Sequence, residues 1–242
     1  MYDMIDDWDS SLGNWGYSSS IEREMIRISD SLIATADVLK QKVEEIGNRP
    51  AALIPNAVNS RLFDAQRKYQ RPQDLPQADS VSIYIGALWG DWFDWDLLVA
   101  IANHYPKSAI VVVGDYRNQC ANPPSNLHFL GLKPQTALPA YLAHSNVAII
   151  PWKVNNITQA TSPLKLYEYL AMHRPVVAPD LIPLRDIPAV SLAKDAQDFI
   201  HLIGEVQNQH LPITEIDSFL NKNNWSARIQ EMLNWLEISK KK

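Results

Sequence analysis

Cysteine is almost missing from this chain of 242 residues: Cys120 stands alone. That excludes an internal disulfide and fits a reducing compartment. With no second cysteine and six scattered histidines, no metal-ligand spacing can be written. No apolar run approaches the roughly 18 residues that a membrane-spanning helix needs, so no such helix is expected. The opening MYDMIDDWDSS is acidic and has no apolar h-region, and no signal peptide is expected. Positive charge is also scarce, with 22 Lys and Arg against 27 Asp and Glu for a net charge of −5. Nucleic acid is therefore a poor candidate partner, since phosphate backbones reward basic surfaces. The concentrated basic run, Lys240, Lys241 and Lys242, reads as a solvated tail, because so short a run binds anionic lipid weakly. The expected setting is cytoplasmic, with at most a peripheral place at the inner face of a membrane. No internal repeat, no G-x-G-x-x-G fingerprint and no legible Ser-His-Asp or Cys-His arrangement occurs; IGALWG is too weak a match to use.

What is there is ordinary globular composition, 46% hydrophobic and 20% charged. The length suits one large domain or one and a half smaller ones. After a short mixed stretch and the Gly/Ser-containing SSLGNWGYSSS, the pattern reads helix, short strand SLIATA, and a second helix closed by Gly47. PAALIPNAV is an apolar strand bounded by prolines, and the polar, Pro-containing DAQRKYQRPQDLPQADS is the best linker candidate. Beyond it the pattern becomes regular. The strands VSIYIGAL, SAIVVVGD, NLHFLGL, NVAIIPW and PVVAP alternate with helices of about ten residues, which implies a parallel sheet covered on both faces. Ligands in such sheets bind at the carboxyl ends of the strands.

One of those ends leads into SPLKLYEYLAMHRPVVAP, residues 162–179. Ser162 suits an N-cap and Pro163 the first helical position. The N–H groups of Leu164 and Lys165 then leave the helix end, whose partial positive charge favours an anion. Lys165 adds a full charge, and Glu168 lies one turn on, on nearly the same side. A phosphate followed by a hydroxyl-bearing sugar fits this layout; so does a capped helix with a surface ion pair. Trp89, Trp92 and Trp95, interleaved with Asp91, Asp94 and Asp96, could stack on a sugar or pack against a neighbouring domain. Gly114–Asp115 could be functional or a plain turn. His104, His128, His144 and His201 read as structural.

Taken in order, several stretches resemble the nucleotide-sugar glycosyltransferases of the two-Rossmann (GT-B) architecture, specifically the retaining family four group. SLIATADVLKQKV is similar to a segment late in their N-terminal domain, and LIPNAVNSRLF to their interdomain I-P-N-G-V-D-x-x-x-F stretch. YIGAL and VVVG are similar to the first two strands of the donor-binding domain, and LHFLGL to the strand before the base contact. SPLKLYEYLAMHRPVVA resembles P-x-K-x-x-E-Y-L-A-x-G-x-P-V-V, and FLNKNNWSARIQEMLNWL the closing helix that crosses back to the N-terminal domain.

The resemblance implies an α/β fold with a Rossmann-like parallel sheet. It divides the chain into a partial N-terminal remnant (1–56), a linker (57–80), a donor-binding domain (81–216) and a crossing helix with basic tail (217–242). It implies transfer of a sugar, with retention, from a nucleoside diphosphate sugar to a saccharide or lipid-linked acceptor. UDP and GDP are the nucleotides to consider, and no cofactor or metal is called for. Glu168 would hold the ribose hydroxyls, and a charge-assisted bond of that kind contributes about 1.5–3 kcal/mol. The backbone around Thr161, Ser162, Pro163 and Leu164 would line the diphosphate, with Lys165 stabilising it as it leaves. Leu132 and Lys133 would lie near the base, and Gly86 would allow close approach.

The chain departs from the pattern at several positions. Ala160 stands where the first Glu of an E-x7-E motif would fall. The usual Arg and Lys after the first strand have no counterpart in GALWGDWFDW, leaving Lys165 or Lys153 to replace them. His173 and Ala57 occupy glycine positions, which at a left-handed turn costs roughly 1 kcal/mol. Residues 1–56 are too few for a second Rossmann domain of about 100–200 residues. They are expected to expose an apolar face that self-associates or meets a partner chain. Two further readings stay open: a nucleotide-binding or scaffolding module without turnover, and a sugar-nucleotide epimerase.

Overall fold

The computed structural model describes residues 1–11, 18–88, 90–117 and 119–239. Trp89 and the basic run Lys240 to Lys242 lie outside the described residues, as does much of the Gly/Ser-containing loop.

The chain builds two parallel sheets. The smaller comes from β1 (Tyr2–Met4), β2 (Leu32–Ala34) and β3 (Ala52–Leu53), in the order β1-β2-β3. Helices α1 (Trp8–Ser11), α2 (Ser19–Ile28) and α3 (Asp37–Gly47) join these strands. Its own small core holds Met4, Ile26, Leu32, Leu39 and Val43. α3 ends as the sequence predicts, except that Asn48, not Gly47, takes the left-handed conformation (φ 49°). Asn tolerates that region because its short polar side chain bonds locally.

The larger sheet has six strands: β4 (Val81–Ile85), β5 (Ala109–Val113), β6 (Leu127–Phe129), β7 (Val147–Ile149), β8 (Val176–Pro179) and β9 (Val190–Ala193). All pair in parallel, in the order β6-β5-β4-β7-β8-β9. Around them run α4 (Trp95–His104), α5 (Leu138–Ala143), α6 (Asn156–Gln159), α7 (Leu164–Ala171) and α8 (Ala196–Val206), and then α9 (Ile213–Lys222) and α10 (Trp225–Ser239). Every residue of β4 and β5 is buried, as continuous apolar strands covered on both faces should be. Numbered from β4, the order is 3-2-1-4-5-6, the doubly wound Rossmann arrangement. The expected α/β fold with a Rossmann-like parallel sheet is the fold observed.

Two stretches read differently in three dimensions. Residues 57–80 are no loose tether: Phe63 and Leu75 are buried in the large core, and the Val58 backbone brackets the α9–α10 junction. The closing segment is two helices, not one. The break falls at Asn223 and Asn224, where Val58 N donates to Asn223 O and Trp225 N to Val58 O. The Asn224 side chain accepts from Ala227 N at 3.0 Å, opening α10 as a cap does. α10 then reaches the small sheet, where Trp235 Nε1 donates to Leu32 O at 2.9 Å.

Candidate functional site

The strand order creates a crevice at one place. β4 pairs with β5 on one side and β7 on the other, so the chain reverses direction across the sheet there, and the carboxyl ends of β4 and β7 open a cleft. The loops leaving those two ends are zipped together by an antiparallel bridge between Phe93 and Trp152. Lys153 N donates to Trp92 O at 2.8 Å, and Asp94 N to Pro151 O at 2.9 Å. The tryptophan-rich loop is therefore a packing hub. Trp92 meets Trp152 edge-on at 5.2 Å, and Phe93 lies 5.1 Å from Tyr84 and 4.7 Å from Trp95. Asp94 caps α4 by accepting from Leu97 N at 2.9 Å.

Lys165 enters this crevice from the first turn of α7. Its Nζ lies 4.4 Å from the centre of the Trp152 ring and 5.4 Å from that of Tyr84. Among the described residues no carboxylate oxygen comes within 4 Å of it. Burial draws the ammonium down from 10.5 to about 8, opposed by the charge of Glu168. Gly86, at the end of β4, has φ +152°, and a Cβ there would come 2.7 Å from Lys165 Cε. The missing side chain at Gly86 thus leaves room for the lysine stem. Glu168 is buried, and Gln135 Nε2 donates to its Oε1 at 3.2 Å. Burial raises this carboxyl, and the Gln135 bond and the Lys165 charge pull the other way.

The start of α7 is built differently from its sequence reading. The helix begins at Leu164 with Pro163 as N-cap. Ser162 sits one position earlier, and its Oγ accepts from Asn56 N at 3.1 Å while its carbonyl accepts from Asn56 Nδ2 at 2.6 Å. Thr161 Oγ1 donates to Ile157 O at 2.7 Å. Both hydroxyls are engaged within the chain, and in the first helical turn Leu166 N donates to Pro163 O at 3.0 Å. Asn56 thereby ties the interdomain stretch directly to the helix end. Ala160 is 1% exposed and belongs to the small core. A glutamate there would bury a charge among apolar side chains.

Leu132 is exposed, and the Lys133 ammonium pairs with Asp74 Oδ2 at 2.7 Å, which holds it above the usual lysine range. Asp74 also accepts from Tyr141 at 2.7 Å. Lys153 is exposed. Asp115 accepts from Arg117 N at 3.2 Å, as a turn residue does. His173 adopts φ 49°, the left-handed conformation its glycine position suggests, whereas Ala57 does not. Among the described residues no group of three or more His, Cys, Asp or Glu is placed to hold a metal ion. No described helix is long and apolar enough to cross a membrane. Sequence reasoning missed Gln135, Tyr84 and Trp152. Only the position of Gln135 shortly after the strand LHFLGL gave any hint.

Known proteins resemble this chain in sequence and in fold. TuaH of Bacillus subtilis (strain 168), whose name assigns it provisionally to teichuronic acid biosynthesis as a glycosyltransferase, is 27% identical over 173 residues. That alignment covers 67% of this chain and 43% of TuaH. HepE of Anabaena, solved in complex with UDP and glucose, superposes with a TM-score of 0.68 at 14% identity, covering 98% of this chain and 70% of HepE. Sucrose-phosphate synthase of Thermosynechococcus elongatus gives 0.65 at 17%, covering 92% of this chain and 62% of that one. At such identities the likeness to the solved structures is one of fold. The chain spans less than half of TuaH and under two thirds of the synthase. The family model described as glycosyl transferases group 1 matches residues 80–209. That match takes in more than half of the chain and the whole crevice from Gly86 to Glu168, and the chain belongs to the group 1 glycosyl transferases.

Proposed function

We propose that this chain is the donor-binding part of a glycosyltransferase that takes a sugar from a nucleoside diphosphate sugar and passes it, with retention, to a saccharide or lipid-linked acceptor. The observation that carries the reading is the pairing at the crevice of an ammonium without a carboxylate partner among the described residues, Lys165, with a buried carboxylate one turn away, Glu168. The first suits a diphosphate and the second suits vicinal ribose hydroxyls. The backbone from Thr161 to Leu164 would complete the diphosphate contact, and Lys165 would stabilise the charge that develops as the sugar leaves. The proposal asks for no metal or other cofactor, because the helix end and Lys165 supply the positive charge. Leu132, beyond β6, is proposed to face the base; Lys133, held by Asp74, serves it through the backbone.

HepE was solved with UDP, which makes UDP the first nucleotide to try and GDP the second. A module without turnover is not favoured, since the chain belongs to a transferase family and keeps both Lys165 and Glu168. The lone cysteine supports a cytoplasmic setting. Residues 1–56 are proposed to meet a second polypeptide, supported by the exposed Ile21, Met25 and Ile28 of α2.

Calorimetric titration with UDP and with GDP tests the reading. Saturable binding of one of them is expected, weakened by about 1.5–3 kcal/mol in Glu168→Ala. Absence of binding by both nucleotides would refute it.

A further inference from the structure

A lysine ammonium inside a protein ordinarily pairs with a carboxylate or reaches out to water. Lys165 instead lies against two ring faces, and neither ring is free to turn aside. Trp152 Nε1 donates to the Tyr84 hydroxyl at 3.2 Å, and that hydroxyl donates to Ala87 O at 2.8 Å. Behind them, Phe93 packs on Tyr84 and Trp92 on Trp152. The lysine stem lies so close to Gly86 that a methyl group there would overlap it.

We infer that Tyr84 and Trp152 are positioning residues: their ring faces seat the Lys165 ammonium at the crevice without a carboxylate partner, leaving its charge available to the diphosphate of a donor. The inference rests on the donor-binding reading and explains how one lysine can replace the two basic residues missing after β4. A ring face attracts a cation more weakly than a carboxylate does, so an arriving diphosphate has no ion pair to break. The seat also thins the water around the half-buried lysine, which lowers its affinity for its proton. Among the described residues, the ionisable groups beside the ammonium are the Tyr84 phenol from β4, held well above its ordinary value by burial, and Glu168 from α7, raised by burial. Lys153, next to Trp152, is exposed. The Tyr84 phenol is displaced away from the range in which Lys165 titrates and Glu168 approaches it only from the acidic side, so the fall expected near 8 belongs to the lysine.

Two measurements on the full chain test this. The first follows acylation of the Lys165 amine against pH by mass spectrometry, without nucleotide. A midpoint near 8 is expected, moving up by about one unit or more in Trp152→Leu as water enters. The ordinary lysine midpoint in the unaltered chain, or the same midpoint in both, overturns the inference. The second titrates UDP from about pH 7 to about pH 10. Affinity should fall as the pH rises above about 8, by about tenfold per unit at most. In Trp152→Leu it should be about tenfold weaker at neutral pH, with its fall displaced upward. An equal loss at every pH marks a merely structural role and also overturns the inference. Should Trp152→Leu not fold, Trp152→Phe must shift both profiles in the same direction. UDP binding with an ordinary midpoint sinks the seat alone. A midpoint near 8 without UDP binding sinks the donor reading and the diphosphate role with it.

Discussion

With its ammonium drawn down to about 8 from 10.5, Lys165 holds its proton less tightly in the folded chain than in the unfolded one. Between those two values the unfolded chain binds more protons, so this residue's contribution to stability rises with pH across that window. It is most unfavourable below about 8 and vanishes above about 10.5. Lys165→Met should therefore stabilise the nucleotide-free chain at neutral pH by on the order of 1–2 kcal/mol, a figure reduced by the residue's partial exposure. The gain should disappear above about pH 10.5, and urea unfolding at the two pH values checks both parts. Tyr169 is the contrasting case. Fully buried, its hydroxyl accepts from Ile85 N at 2.8 Å and donates to Ile85 O at 3.3 Å. Tyr169→Phe leaves that backbone N–H unpaired at the end of β4 and should cost about 1–3 kcal/mol in urea unfolding. Lys165 and Glu168 were legible in the sequence because helical spacing puts them on one face. Tyr84, Trp152 and Gln135 were not, because only the order of strands across the sheet brings those loops to that face.

At the scale of elements, the regular alternation after residue 80 made most strands and helices legible, and the misreadings have local causes. β9 escaped notice because three of its four residues are half-buried, and it is held by pairing with β8 at the sheet edge. The two asparagines that split α9 from α10 look unremarkable until the Val58 backbone arrives to bond between them. At the start of α7, Asn56 draws Ser162 out of the capping role its type suggests. At its end, His173 stands in a left-handed turn and reaches Asp217 at 2.9 Å. His173→Gly relieves the backbone strain but loses that surface pair, so a net gain of about 0.5 kcal/mol is expected. Asp94→Ala removes the α4 cap and should lose about 1 kcal/mol. Urea midpoints of the two variants, moving in opposite directions, check both.

For the whole molecule, the fold class could be read from the pattern of the chain, but its closure was expected only from the family resemblance of the closing helix. The bond from Trp235 to Leu32 joins residues 203 positions apart, and no local pattern reports such a contact. Among the described residues the small sheet has three strands with β1 at one edge, and an edge backbone invites further pairing. Beside it, α2 turns Ile21, Met25 and Ile28 to solvent at 62%, 49% and 70% exposure. These residues follow the i, i+4, i+7 spacing of one helical stripe, while Ile26 of the same helix is fully buried. On the proposed association of residues 1–56 through this stripe and edge, the occupant in the isolated chain would be a second copy. The chain should therefore sediment above monomer mass at micromolar concentrations and bind a hydrophobic dye. Ile21→Glu combined with Ile28→Glu should restore the monomer and suppress the dye signal. UDP affinity should not change, since the stripe is on α2 and the crevice is at the ends of β4 and β7. A dye-silent monomer in the unaltered chain would contradict the association, and loss of UDP binding in the double variant would show that the two surfaces are not independent.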